Sequence, residues 1–153
     1  NPDNAATYGR LYNWFAVDDS RGLAPEGWHV PSDDEWKQLE RYLGMDSTEA
    51  DNQGWRGTDE GGKLKETGEA HWNSPNEGAT NETGFTALPG GYLYPYLSAF
   101  FESIGKSAYF WSSTEDPTNE GWYRILDYAV SQIARYSYNK VHGYSVRCVK
   151  DSE

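Results

Sequence analysis

Residues 121–148 read GWYRILDYAVSQIARYSYNKVHGYSVRC, and their reading decides what the rest of the chain is built to hold. The final part alternates, with Tyr144, Val146 and Cys148 on one side and Ser145 and Arg147 on the other, the two-residue period of a half-buried strand. Upstream, residues 122–130 and 131–139 predict two further strands. There Tyr123, Tyr128, Tyr136 and Tyr138 stand among Asp127, Gln132, Asn139 and His142. Rigid amphipathic rings beside short hydrogen-bonding side chains give much contact area while freezing few torsions, the make-up of a binding face. Tyrosine also suits a pleated sheet for packing alone, so the pattern leaves a binding face and an ordinary sheet both open.

Working outward, the strongest local signal is GWHVPSDDEWKQLERYLG at 27–44. Ser32 is a good N-cap and Glu35, three residues on, completes a capping box. Asp33 and Asp34 suit the positive end of the helix dipole. Trp36, Leu39 and Leu43 share one face and Gly44 closes the turn, which predicts a helix over 32–43. Residues 11–17, LYNWFAV, are apolar on both alternating sets and read as a strand covered on both sides. From 45 to 82 the chain is acidic and rich in Gly, Asn, Ser and Thr. It reads as long ordered loop with a short helix at 62–67, pinned by Trp55 and Trp72. Phe85 and Ala87 predict a short strand running into a tight turn, and SAYFWSST at 107–114 another strand. Short strands, one clear helix and long loops make an α+β fold. The polar start, NPDNAAT, reads as a linker remnant over 1–7, leaving a single domain at 8–151.

Thirteen Lys and Arg against 24 Asp and Glu give a net charge of −11, which repels nucleic acid and anionic membranes as principal partners. Basic residues nevertheless concentrate near the carboxyl end, where Arg124, Arg135 and Arg147 read as frame residues paired with carboxylates. Seven Trp and 12 Tyr predict a core built on rings. No run is long enough to span a membrane. Lone Cys148, on the inward side of its strand, is a poor nucleophile. His29, His71 and His142 lack zinc spacing, and the 46–52 loop lacks the glycine of a calcium loop. No metal or cofactor is implied, and no pair of carboxylates stands out for acid–base work.

Seven ordered blocks carry a resemblance. They are YGRLYNW (8–14), GWHVPSDDEW (27–36), GGKLKETG (61–68), HWNSPNEGATNETGFTALPGGY (71–92), FWSSTE (110–115), WYR (122–124) and GYSVRCVKD (143–151). Together they resemble the Fibrobacter succinogenes major paralogous domain. That resemblance implies an extracellular or cell-surface setting, on secreted proteins and lipoproteins. The family in turn is similar to the C-type-lectin-like fold in its formylglycine-generating-enzyme branch. Those enzymes use a cysteine pair; this chain has one cysteine, so the fold transfers and the activity does not. The calcium-binding triplets of sugar-binding lectins are also missing from the sequence.

The same fold resembles that of retroelement-diversified variable proteins, in which scattered positions near the carboxyl end change on a fixed frame. Mapped here, Ile125, Asp127, Tyr128, Ala129, Gln132, Ala134, Tyr136, Ser137, Tyr138, Val141 and His142 form the expected ligand-facing set. Trp122, Arg124, Arg135 and Lys140 belong to the frame. The expectation is a non-enzymatic ligand-binding module for a protein receptor or a surface glycan. Tyr128, Tyr136 and Tyr138 supply contact area and Asp127, Gln132 and His142 polar direction. An accessory glycan-binding module is the alternative, marked by exposed Trp55, Trp72 or Trp122.

Overall fold

The computed structural model describes residues 2–96 and 100–152. Helices α1 (Pro2–Tyr8), α2 (Trp14–Val17), α3 (Asp33–Tyr42), α4 (Ser47–Ala50) and α5 (Glu60–Leu64) accompany eight strands. The strands are β1 (Trp28–His29), β2 (Gly54–Arg56), β3 (Gly90–Tyr94), β4 (Phe100–Ile104), β5 (Ser107–Glu115), β6 (Gly121–Asp127), β7 (Ile133–Tyr138) and β8 (Val149–Lys150). Six of them form one sheet in the order β2-β7-β6-β5-β3-β4, and β1 pairs with β8 apart from it. All pairings are antiparallel except β3 with β5. The result is an α+β arrangement.

The capping box predicts α3 correctly because it is a local interaction. Ser32 Oγ accepts from the Glu35 amide and the Glu35 carboxylate accepts from the Ser32 amide. This helix turns Trp36 toward one face of the sheet, where it joins Ala108, Phe110, Leu126, Ile133, Leu64 and Trp72 in the larger core. Alternation along β5 and β6 sends Tyr109, Trp111, Tyr123 and Ile125 to the opposite face, around Tyr144 and Trp14.

Between α3 and the sheet lies a buried ionic network. Arg124 donates through Nε to Glu40 at 2.5 Å and through Nη1 to Asp33 at 2.8 Å. Arg56 makes a forked pair with the same Glu40, at 2.7 and 3.0 Å, and Arg135 a forked pair with Asp33. Burial pushes the Asp33 carboxyl upward, but hydrogen bonds and charge from Arg135 and Arg124 outweigh it and hold the group at about 2. Two of the three expected frame arginines therefore pair with carboxylates. Arg147 instead lies over the Phe85 ring, 4.6 Å from its centre.

Several elements differ from expectation. Residues 11–17 form no strand: Asn13 caps α2 by accepting from the Ala16 amide, and buried Trp14 donates to Ser112 O. A side chain at Gly121 would come within 2.5 Å of the Trp14 ring, so the strand opposite keeps a glycine there. Within the stretch 1–7 expected as linker, residues 2–7 belong to helix α1, although α1 buries no residue. Phe85–Ala87 gives only an isolated bridge from Ala87 to Lys65, and the strand begins at Gly90. Of the two expected loop anchors, Trp72 is sealed and Trp55 is 40% exposed. The Gly61-Gly62 pair serves close packing, since added Cβ atoms would fall 2.1 Å from Gln132 O and Gly78 O.

Candidate binding site

On the sheet face turned away from α3, strand register lines up side chains from four strands. Tyr109 of β5 lies opposite Ile125 of β6, and Tyr123 of β6 opposite Tyr136 of β7. From β3, the Tyr92 ring sits 5.0 Å from that of Tyr109. Tyr144, in the segment after β7, stacks 5.2 Å from Tyr109 and 4.8 Å from Tyr123. With Tyr94, Tyr138 and His142 these groups, Tyr136 excepted, line an open recess of about 220 Å³. His142 packs edge-on to Tyr138, 4.7 Å away, and to Tyr94, 5.5 Å away.

The electrostatics of the recess are one-sided. Tyr92 donates to Glu102 at 2.5 Å, and that bond, with burial second, pushes its hydroxyl up to about 12. Burial first, then the charges of Asp127 and Glu102 among other contributions, raises Tyr109. Burial likewise raises Tyr123 and Tyr144. At neutral pH the recess therefore presents neutral hydroxyls and ring faces beside carboxylates, and its lining includes neither Lys nor Arg.

The expected ligand-facing set divides when placed in the fold. Ile125, Tyr138 and His142 line the recess, and half-buried Tyr136 packs beside it, its ring 6.3 Å from Tyr123. Tyr138 is the accessible member at 47% exposure, whereas His142 is only 2% exposed. Val141 is half-buried in the turn just before His142. Ala134 shares the Tyr136 side of β7 but is fully buried, which removes it from any contact surface. Ser137 projects to the other side, where it donates to Glu120. Tyr128 packs against the larger core. Ala129 and Gln132 line a different hollow, with Gly57, Thr58 and Glu77. Gln132 donates there to Gly57 O at 3.0 Å. The Asp127 carboxylate accepts from Ser107 Oγ and the Ala129 amide, so it shapes the β6–β7 turn.

That turn is fixed from beneath by a lysine that sequence reading passed over. Lys65 is fully buried, lies 5.4 Å from the centre of the Trp72 ring, and donates to Glu77 O, Asp127 O and Val130 O. Burial lowers its amine to about 8. Tyr92, Tyr94 and Tyr109 were missed as well. Their signal was available in GYLYPY and SAYF, where Tyr92 and Tyr94 stand two residues apart on a strand.

The model of the Fibrobacter succinogenes major domain matches residues 1–150. The chain belongs to that family. The match to the Fibrobacter succinogenes major domain takes in α1. No curated protein and no solved structure matches this chain. Among the described residues of this Fibrobacter succinogenes major domain, no helix is long and apolar enough to cross a membrane, and no three His, Cys, Asp or Glu residues are grouped to hold a metal ion.

Proposed function

We propose that this domain is a non-enzymatic binding module, displayed outside the cytoplasm, that engages its partner through the tyrosine recess on β3, β5, β6 and β7. One observation carries the reading: rings from four strands and the 142–144 segment converge on an open hollow, while the opposite sheet face is locked by buried ion pairs. A fixed platform lowers the ordering cost of association, and exposed Tyr on rigid strands is a favoured hot-spot residue. The C-type-lectin-like arrangement implied by the sequence resemblance is part of this proposal. Its support is the long loop region pinned onto the sheet and the pairing of β1 with β8, which holds the carboxyl-terminal segment against the strand that leads into α3.

A protein partner is placed ahead of a glycan because two of the three tryptophans that would mark sugar stacking, Trp72 and Trp122, are buried. If the carboxyl-terminal positions are exchanged by a retroelement, tolerant exchange is expected at Ile125, Tyr136, Tyr138 and Val141, which are half-buried or exposed. Sealed Ala134 stands outside that set.

The test is selection of binders to the intact domain from a displayed random-peptide library and from a glycan array. Each binder is then assayed on the Tyr136→Ala/Tyr138→Ala and Gln132→Ala variants. The proposal expects binding to fall at least tenfold on the double variant and to persist on Gln132→Ala, with both variants showing cooperative unfolding. Binders indifferent to Tyr136 and Tyr138 overturn it.

A further inference from the structure

We infer, resting on the recess as the binding surface, that its ligand is a cation: a guanidinium or alkylammonium group, offered by a basic peptide side chain or by a small organic amine.

The first ground is an imbalance in how the protein treats its own rings. Elsewhere five aromatic faces, four of Trp and one of Phe, are covered by internal cations. Arg135 lies 3.6 Å from the centre of Trp122, Lys140 4.5 Å from Trp14, and Arg124 5.9 Å from Trp36. Lys65 and Arg147 cover Trp72 and Phe85 in the same way. Among the described residues no such contact falls on a tyrosine of the recess, although it holds the densest group of rings in the molecule. Ring faces carry the negative lobe of the aromatic quadrupole and attract cations. Here that capacity is left for something from outside.

The second ground is charge. Glu102 stands at the rim, hydrogen-bonded to Tyr92, and Asp127 flanks Tyr109 at the end of β6. Both carboxylates act on the Tyr109 hydroxyl in the direction that disfavours its ionisation, so their field reaches the recess lining. The chain as a whole carries a charge of −11, which draws cations and repels anions at long range.

Size supplies the third. A volume of about 220 Å³ lies below the roughly 300 Å³ at which pockets for drug-sized ligands begin. It suits one head group or one side chain rather than an extended molecule.

The test uses protein labelled with ¹³C in the tyrosine rings and four probes in two pairs. One pair is choline and its neutral isostere 3,3-dimethylbutan-1-ol; the other is the tripeptide Gly-Arg-Gly and its citrulline counterpart. At least one cation should shift the Tyr109 and Tyr138 ring signals with affinity about tenfold above its neutral match, the scale set by a desolvated ring–cation contact. Glu102→Gln should weaken that cation severalfold, and which pair discriminates tells whether a peptide or a small amine is the source. Equal binding of charged and neutral partners overturns the cation assignment and leaves the recess as a binding surface. Silence from all four probes also overturns the assignment. The surface itself fails only if selected binders ignore Tyr136 and Tyr138.

Discussion

Glu40 of α3 and Arg124 of β6 are both wholly buried and joined by a 2.5 Å hydrogen bond across 84 residues of chain. Around them Asp33, Arg56 and Arg135 complete a group of three guanidinium ions and two carboxylates. Removing one carboxylate leaves three buried cations around the other. Glu40→Gln should therefore cost about 3–5 kcal/mol, the range for breaking a buried pair from one side. Urea unfolding at neutral pH measures it, and a loss below about 1 kcal/mol would show that the network behaves like a surface pair.

The same network sets the acid limit. Asp33 has a folded pKa of about 2, below its ordinary value of 3.8. A depressed carboxylate stabilises the fold above the unfolded pKa and loses that contribution as pH falls through the folded one. Stability should thus decline between about pH 4 and 2 by about 2 kcal/mol from this group. Asp33→Asn should flatten that part of the pH curve while lowering stability at pH 7.

At the basic end the tyrosines govern. Tyr92 is raised to about 12, and burial holds Tyr123 and Tyr144 higher still than free tyrosine. A raised acid keeps its proton in the folded state, so its contribution is complete below about pH 10 and is lost above it. Lys65, lowered to about 8, acts in the opposite sense between about pH 8 and 10.4. The expected curve is level or slightly rising up to pH 10 and falls steeply beyond, read by chemical denaturation alongside tyrosinate absorbance. Ionisation of Tyr144 before unfolding would contradict it.

Lys65→Met should loosen the β6–β7 turn. It leaves Glu77 O, Asp127 O and Val130 O without their buried donor, a cost of about 1–3 kcal/mol. Hydrogen exchange should quicken at the amides of Glu77 and Tyr128, whose bonds close the same loop. Amides within β5 should keep their protection relative to the new global stability.

Tyrosines of the recess should separate by depth. Tyr144→Ala removes a ring that is 3% exposed and packed on Trp111 at 4.2 Å, and should cost about 3–5 kcal/mol. Tyr138→Ala, at a position nearly half open, should cost under about 1 kcal/mol. Thermal melts of the two variants provide the comparison.

How much of this could be read in the sequence depended on the range of each interaction. The α3 start was legible because Ser32 and Glu35 are three residues apart. Residues 107–114, 122–130 and 131–139 were legible as strands β5, β6 and β7, whereas 144–148, read as a strand from its alternation, gives only isolated bridges at Tyr144 and Ser145. By contrast LYNWFAV gave no sign that Asn13 would cap a helical turn, since its apolar pattern fits either period. The partition of the carboxyl-terminal residues was also hidden. Ala134 is sealed by its neighbours across the sheet, and Gln132 is committed to Gly57, 75 residues away. The recess itself needs β3 beside β5, an order set by tertiary packing and not by any local signal.

The tyrosines also provide the most direct test, because they stand at several separate places on the surface. Tyr8 lines the cavity beside α1, Tyr42 the one beside α3, and Tyr138 the recess, while Tyr128 packs on the larger core next to Ala129 of the Gln132 hollow. The ring spectrum of ¹³C-tyrosine protein, recorded with and without a selected binder, reports which of them is touched. Shifts should gather on Tyr92, Tyr109 and Tyr138, with Tyr8, Tyr42 and Tyr128 unmoved. Shifts at Tyr8, Tyr42 or Tyr128 over a silent recess would contradict the account.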